Sequence, residues 1–370
     1  MRKAHLQRIS RMMIGSCLGV IVVSCWGLWT VCGNNRDQRD SSLAERGSGA
    51  LPLVKVLATG GTIANTPTGH ISGKDLIDLV PEIKKYAQVE VEEVSRINST
   101  DLTLNIWLEL EHKIEATFAA EPQVDGIVIS HGTNTLEETA YFLNLMTNSE
   151  KPVVLTAAQR RLNTPSPDGP KNLLDAIRVA ASPKARGKGV LVVANDVING
   201  AREVTKTISS RVETFSSRDL GALGYVDSDD ITFYRAAMKR HTVGSEFASM
   251  KIDRFPRVEI LYAYAGVDAG LVEAAATLKD LRGVVVAGFA TGNVPTPMRL
   301  GLQKLAERGV KVVLSTRAGE GRIIPTNPYF AGLGFITADN LIPQKARILL
   351  MLGLIKTSDL GLLQRMFDQY

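Results

Sequence analysis

The chain has 370 residues, of which 45% are hydrophobic, with 43 basic residues against 38 acidic ones. That is enough apolar material to bury a core in one large or two medium domains. Four of the basic residues, Arg2, Lys3, Arg8 and Arg11, fall in the first eleven positions. Without them the chain is close to neutral, which excludes an extended nucleic-acid surface.

Residues 12–32 (MMIGSCLGVIVVSCWGLWTVC) carry no charge and follow that basic start. A basic segment ahead of an apolar run has the pattern of an export leader. The run is also long enough to cross a bilayer once, and Val22-Val23-Ser24-Cys25 has the look of a short lipobox. Cleaved signal, retained anchor and lipid attachment are therefore all compatible with it, with cleavage preferred. The expected location is periplasmic or otherwise exported, with membrane contact only through residues 12–32. All three cysteines (Cys17, Cys25, Cys32) lie in this leader. The body that follows contains no disulfide, no cysteine nucleophile and no cysteine-ligated metal. Residues 33–50 are polar and lack a hydrophobic period, as expected of a flexible tether.

From Leu51 onward short β-branched runs alternate with helical patterns. Val54–Leu57, Gly126–Ser130, Pro152–Thr156 and Val190–Ala194 read as strands, short and mostly apolar over four to five residues. Such strands argue for a parallel sheet covered by helices on both faces. Residues 235–255 turn polar and basic and read as a linker. A second alternating set follows, with strands at Val258–Tyr262, Gly283–Ala287 and Val310–Leu314. The expected fold is thus α/β: a large domain over 51–234 built on a parallel-type sheet, and a smaller α/β domain over 256–370.

Two threonine-bearing loops follow strands, at the carboxyl edge where such sheets bind ligands. In Ala58-Thr59-Gly60-Gly61-Thr62-Ile63-Ala64 the paired glycines permit positive φ and close backbone approach. A hydroxyl there is exposed on a tight turn, and free backbone N–H groups beside it can form an oxyanion hole. In His131-Gly132-Thr133-Asn134-Thr135-Leu136-Glu137-Glu138, Thr135 is expected to cap the next helix, with Glu138 completing a capping box. His131 is expected to anchor its loop through a backbone hydrogen bond. Asp168 and Asp196 are expected to brace loops rather than to act as acids.

Taken together, ATGGTIA (58–64) and HGTNTLEETA (131–140) resemble the two signatures of the asparaginase/glutaminase family. Further similarity lies in Ser99 and Asp101 ahead of Trp107, in SPDGPKNLLDA (166–176), NDVINGAREVTKT (195–207), GNVP (292–295) and PQKARILLMLGL (343–354). The resemblance runs from about Leu51 to Tyr370. It implies Thr62 as nucleophile, with Thr133 and Lys206 as the pair that activates the nucleophile or water. It implies substrate binding by Ser99, Thr100, Asn134, Asn293 and the backbone at Ala157. It also implies an amino-acid amide as substrate, no cofactor or metal, no nucleic acid, and a homotetramer built as a dimer of dimers. The implied reaction is hydrolysis of L-asparagine to L-aspartate and ammonia, with L-glutamine as a slower substrate. A non-catalytic extracytoplasmic amino-acid binder on the same fold is the alternative; a glutamine-deamidating subunit for tRNA charging fits an exported, near-neutral chain poorly.

The chemistry is consistent on its own terms. A threonine hydroxyl needs a neighbouring base, and a lysine becomes one only when desolvation lowers its pKa. The chain also departs from the family pattern. Asn134 stands where better-studied bacterial members have aspartate, so the substrate ammonium loses a charged partner while a neutral Lys206 is favoured. The loop after the first signature, NTPTGHISGKD, has no tyrosine. His70 is the expected substitute, an imidazole whose pKa suits general-base work. No glutamate occurs in PTNPYFAG (325–332), and Glu320 lies too early to replace it.

Overall fold

The computed structural model describes residues 50–326 and 328–370. The leader and all of the tether except Ala50 lie outside the described residues. Among the described residues no helix is long and apolar enough to cross a membrane.

Among the described residues there are sixteen strands and eight α-helices. In chain order they are β1 (Leu53–Gly60), β2 (Asn65–Thr66), β3 (Gly69–His70), α1 (Gly73–Asp78), β4 (Gln88–Ile97), α2 (Leu104–Ala120), β5 (Val124–Ser130), α3 (Leu136–Met146), β6 (Val153–Thr156), α4 (Gly169–Ala181), β7 (Val190–Ala194), β8 (Val197–Gly200), β9 (Thr205–Lys206), β10 (Phe215–Ser216), β11 (Gly224–Val226) and β12 (Ile231–Phe233). Then come β13 (Arg257–Tyr262), α5 (Gly270–Ala276), β14 (Leu281–Gly288), α6 (Thr296–Glu307), β15 (Lys311–Thr316), β16 (Ile336–Thr337), α7 (Pro343–Lys356) and α8 (Leu360–Gln369).

The first sheet has eight strands in the order β12-β11-β8-β7-β6-β5-β1-β4. The neighbours from β4 to β7 are parallel, as the apolar runs predict. Successive residues of β5 serve opposite faces. Ile127 and Ile129 join a core with Trp107 and Leu110 of α2 and Tyr141 and Leu145 of α3, while Val128 joins Leu173 and Ile177 of α4 on the other face. Fully burying such a side chain contributes about 1.5–3 kcal/mol, which is why both faces must be covered. β8, β11 and β12 extend the parallel-type sheet in antiparallel fashion beyond β7. The reversal occurs at Asn195 and Asp196, both left-handed with φ of 53° and 64°. Two left-handed residues between paired strands form a primed turn whose twist matches the hairpin.

The second sheet is smaller and wholly parallel, in the order β13-β14-β15-β16. Val284, Val286 and Val312 pack one face against Val272 of α5 and Met298 and Leu302 of α6. The other face, with Val258, Val285 and Val313, joins Ile348, Leu349 and Leu352 of α7 in the same core that holds α2 and α3. The stretch 235–255 contains a single 3-10 turn, Thr242–Gly244. It is nonetheless tied down, because Phe247 is fully buried with its ring 5.1 Å from that of Tyr370.

Candidate active site

β1 and β5 are parallel neighbours with Ala58 opposite Ser130, so their loops leave the sheet side by side at its carboxyl edge. Thr59 Oγ1 donates to the Ser130 carbonyl at 2.9 Å and staples the two strand ends. β1 then turns through Gly60 and Gly61, whose φ values of 98° and 80° are open chiefly to glycine. Thr62 opens a 3-10 helix running to Ala64. Ile63 is buried beneath it, whereas Thr62 is half-buried and its hydroxyl has no hydrogen-bond partner among the described residues.

The loop after β5 is built around His131, which is completely buried. Its Nδ1 lies 2.8 Å from the Gly132 carbonyl, and its Nε2 lies 3.0 Å from Thr139 Oγ1. A carbonyl only accepts, so Nδ1 carries the proton and Nε2 accepts from the Thr139 hydroxyl. That hydroxyl in turn receives the Trp107 indole N–H at 2.8 Å. Burial pushes the His131 imidazole down to about 4, against a smaller opposing contribution from the Gly132 carbonyl. The expected anchoring role of His131 is what the geometry shows.

Ser99, also buried, meets this loop from the other side. The Asn134 N–H donates to Ser99 Oγ at 3.2 Å, and Thr135 Oγ1 donates to the Ser99 carbonyl at 2.8 Å. The second bond corrects the expected capping box. Thr135 occupies the cap position of α3, but its hydroxyl makes no cap bond to the helix. It spends its one proton on Ser99, 36 residues earlier in the chain.

Lys206 arrives on β9, which is paired with β10. Its Nζ lies 2.7 Å from Thr133 Oγ1, 3.2 Å from Asn134 Oδ1 and 3.5 Å from Gln159 Oε1. Burial holds the Lys206 ammonium below the ordinary lysine range, against the pull of the Glu137 carboxylate, which raises it. Amine and hydroxyl are thus placed to share a proton.

Ser99, Thr133, Asn134 and Lys206 therefore form one hydrogen-bonded group, with the Thr62 turn packed against it. Thr100 is exposed beside Ser99 in a 3-10 turn. Ala157 is buried at the end of β6, its carbonyl accepting the Asn172 amide at 2.9 Å. His70 sits in β3, paired with Asn65 in the hairpin that follows the Thr62 turn, and its buried Nε2 has no hydrogen-bond partner. Asn293 stands on the other sheet, in the loop after β14, where its backbone bridges to Phe289. Asp168 braces its loop as expected, accepting the N–H groups of Gln159 at 3.0 Å and Arg160 at 2.8 Å. Asp196 pairs with Lys171 at the surface.

Two residues of the site escape sequence reasoning. Gln159 approaches Thr133 Oγ1 within 3.4 Å, and its place directly after Ala157-Ala158 was the available signal. Glu137 is buried in the first turn of α3 and accepts the Lys206 backbone N–H. An acid at a helix start reads locally as dipole complementarity, which hides its long-range partner. Among the described residues no three His, Asp or Glu side chains gather as they would around a metal ion.

This arrangement can be set beside known proteins. Residues 53–239 match the model of the asparaginase N-terminal domain, and 257–367 match that of the glutaminase/asparaginase C-terminal domain. The chain belongs to the asparaginase/glutaminase family. It is 40% identical over 343 residues to L-asparaginase 2 of Bacillus subtilis (strain 168), covering 90% of both chains. It is 39% identical to a probable periplasmic L-asparaginase of Haemophilus influenzae, over 86% of this chain and 93% of the other. A glutaminase-asparaginase of Pseudomonas fluorescens biotype A is 40% identical, over 86% of this chain and 91% of the other. Among solved structures, a probable cytoplasmic L-asparaginase from Campylobacter jejuni superposes with a TM-score of 0.82 at 42% identity, covering 86% of this chain and all of that one. The large mixed sheet and separate smaller sheet are thus those of an asparaginase-family enzyme.

Proposed function

We propose that this asparaginase-family enzyme hydrolyses the side-chain amide of L-asparagine, giving L-aspartate and ammonia, through an ester formed on Thr62. The reading rests above all on the 2.7 Å approach of Lys206 Nζ to Thr133 Oγ1, in a loop that touches the Thr62 turn. In this scheme the Thr62 hydroxyl loses its proton to a neighbouring base and bonds to the amide carbon. The backbone amides of the two loops take up the negative charge on the carbonyl oxygen, a term worth about 3–4 kcal/mol in comparable sites. The C–N bond then breaks, and the nitrogen leaves as ammonia after receiving a proton. A water molecule, deprotonated by the Thr133–Lys206 pair, hydrolyses the ester and restores Thr62.

A neutral Lys206 is needed for that last step. Its Nζ can accept the Thr133 proton while its two N–H bonds are directed to Asn134 Oδ1 and Gln159 Oε1. Both amide oxygens are uncharged, so neither holds the amine in its ammonium form. Ser99 and Asn134 are assigned to the amino-acid head of the substrate, with Thr100, the Ala157 backbone and Asn293 completing the pocket. His70 is assigned to proton transfer at Thr62. L-Glutamine is proposed as a slower substrate, supported by the name of the Pseudomonas relative.

A site completed by a second copy within a homotetramer is part of the same proposal. The edge strand β13 leaves Ile260 and Tyr262 exposed, as a surface that packs against another copy would. Export through residues 12–32 is supported by their composition and by the periplasmic relative. Cell fractionation with an antibody to the mature chain tests it, and purely cytosolic recovery would count against export.

Ammonia release from L-asparagine, D-asparagine and L-glutamine by purified protein, with Thr62→Ala alongside, tests the enzymatic reading. Turnover of L-asparagine that Thr62→Ala lowers at least about 10³-fold is expected. Amide binding without turnover would instead establish a non-catalytic binder.

A further inference from the structure

The first turn of α7 carries two side chains that reach out of the small-sheet half of the molecule to the segment bearing Lys206. Lys345 is 1% exposed. Its Nζ donates to the carbonyls of Ala201 and Arg202, both at 2.8 Å, and to that of Val204. Those carbonyls belong to the turn leading directly into β9. Its neighbour Gln344 donates through Nε2 to Glu137 Oε1 at 2.6 Å. The other oxygen of the same carboxylate accepts the backbone N–H of Lys206 itself.

We propose that Gln344 and Lys345 are positioning residues that clamp the backbone around Lys206 and thereby aim its amine at Thr133. Both act through another group: Lys345 through three carbonyls upstream of Lys206, Gln344 through Glu137. Once the upstream carbonyls and the N–H of residue 206 are held, the peptide plane carrying the lysine cannot rotate. The Nζ then reaches Thr133 with only its own side-chain torsions left to set.

The choice of residue types supports a positioning role. A buried ammonium is expensive to desolvate, and well-packed apolar residues often serve stability equally well. An ammonium with three carbonyl acceptors is instead a rigid three-way tie. A misplacement of about 1 Å at a reacting group can cost on the order of 10²-fold in rate, so a tie at this point in the chain is felt in turnover.

The inference rests on the role proposed above for Lys206. The test is steady-state kinetics on L-asparagine with the full chain. Gln344→Leu is expected to lower kcat about tenfold with KM within twofold, because Ser99 and Asn134 are untouched. Lys345→Met is expected to lower kcat further and to lower the melting temperature. Should that variant fail to fold, Gln344→Leu decides alone. An unchanged kcat in folded Gln344→Leu overturns the clamp, and so does a KM that rises in proportion to the loss, which would place the effect on binding. Lys206→Met separates the two levels. If it retains full turnover, the assignment of Lys206 has failed; if it is inactive while Gln344→Leu matches the parent, only the clamp has failed.

Discussion

Gly61 and Gly132 touch backbone to backbone: a Cβ built on Gly61 would lie 2.5 Å from both Cα and N of Gly132. This contact joins the loop that presents Thr62 to the loop that presents Thr133, and no other residue type leaves room for it. Gly132 is equally confined on its far side, where a Cβ would meet Ser99 Oγ at 2.5 Å. The two threonine-bearing loops therefore touch because two side chains are missing.

Gly61→Ala is accordingly expected to be damaging in two ways. Its φ of 80° disfavours an L side chain, at a cost on the order of 1–3 kcal/mol, and the new methyl must push the loops apart. Turnover should fall at least about 10²-fold and the melting temperature should drop. A folded Gly61→Ala enzyme with parental kcat would show that the loop spacing does not matter to the chemistry.

Asn134→Asp restores a carboxylate 3.2 Å from Lys206 Nζ. A negative charge there favours the ammonium, so the lysine pKa rises and the basic amine is reached only at higher pH. The acid limb of the kcat profile should move upward by about one pH unit. The substrate ammonium gains a charged partner at the same time, so KM for L-asparagine should fall. A KM that stays level or increases would refute the binding half of this argument.

For His70, removal of the imidazole is the direct check. If its buried, unpartnered Nε2 takes the Thr62 proton, His70→Ala should lose about 10²-fold or more in kcat with little change in stability, because the residue lies in a hairpin of two-residue strands. Parental kcat in that variant would return His70 to the status of a loop residue.

His131 is expected to make the fold acid-sensitive. Folded, it titrates at about 4, pushed down by burial; unfolded, it should titrate near 6.5. Between those values the unfolded chain binds a proton that the folded one refuses, so stability falls as pH drops from 6.5 towards 4. At about 1.4 kcal/mol per pKa unit the loss is about 3 kcal/mol. Urea unfolding at pH 7, 5.5 and 4.5 should show it, and His131→Asn, though weaker at pH 7, should show a shallower slope. Equal slopes for parent and variant would assign the acid sensitivity to other groups.

Read alone, the chain discloses whatever depends on neighbouring residues. Unbroken apolar runs such as Val190–Ala194 mark strands buried on both faces, and paired glycines beside a threonine mark an exposed turn after a strand. The antiparallel extension is harder to see, because β11 and β12 are only three residues each and the Asn195-Asp196 turn has no glycine. The rest waits for the fold. Thr135 bonds to Ser99 rather than to its own helix, Glu137 reaches the N–H of a residue 69 positions away, and Lys206 crosses 73 positions to meet Thr133. Helical and strand periods are local because they arise from backbone geometry within one element. Which donor meets which acceptor across the carboxyl edge of the sheet is settled only when burial brings distant segments together and every polar group removed from water must find a partner.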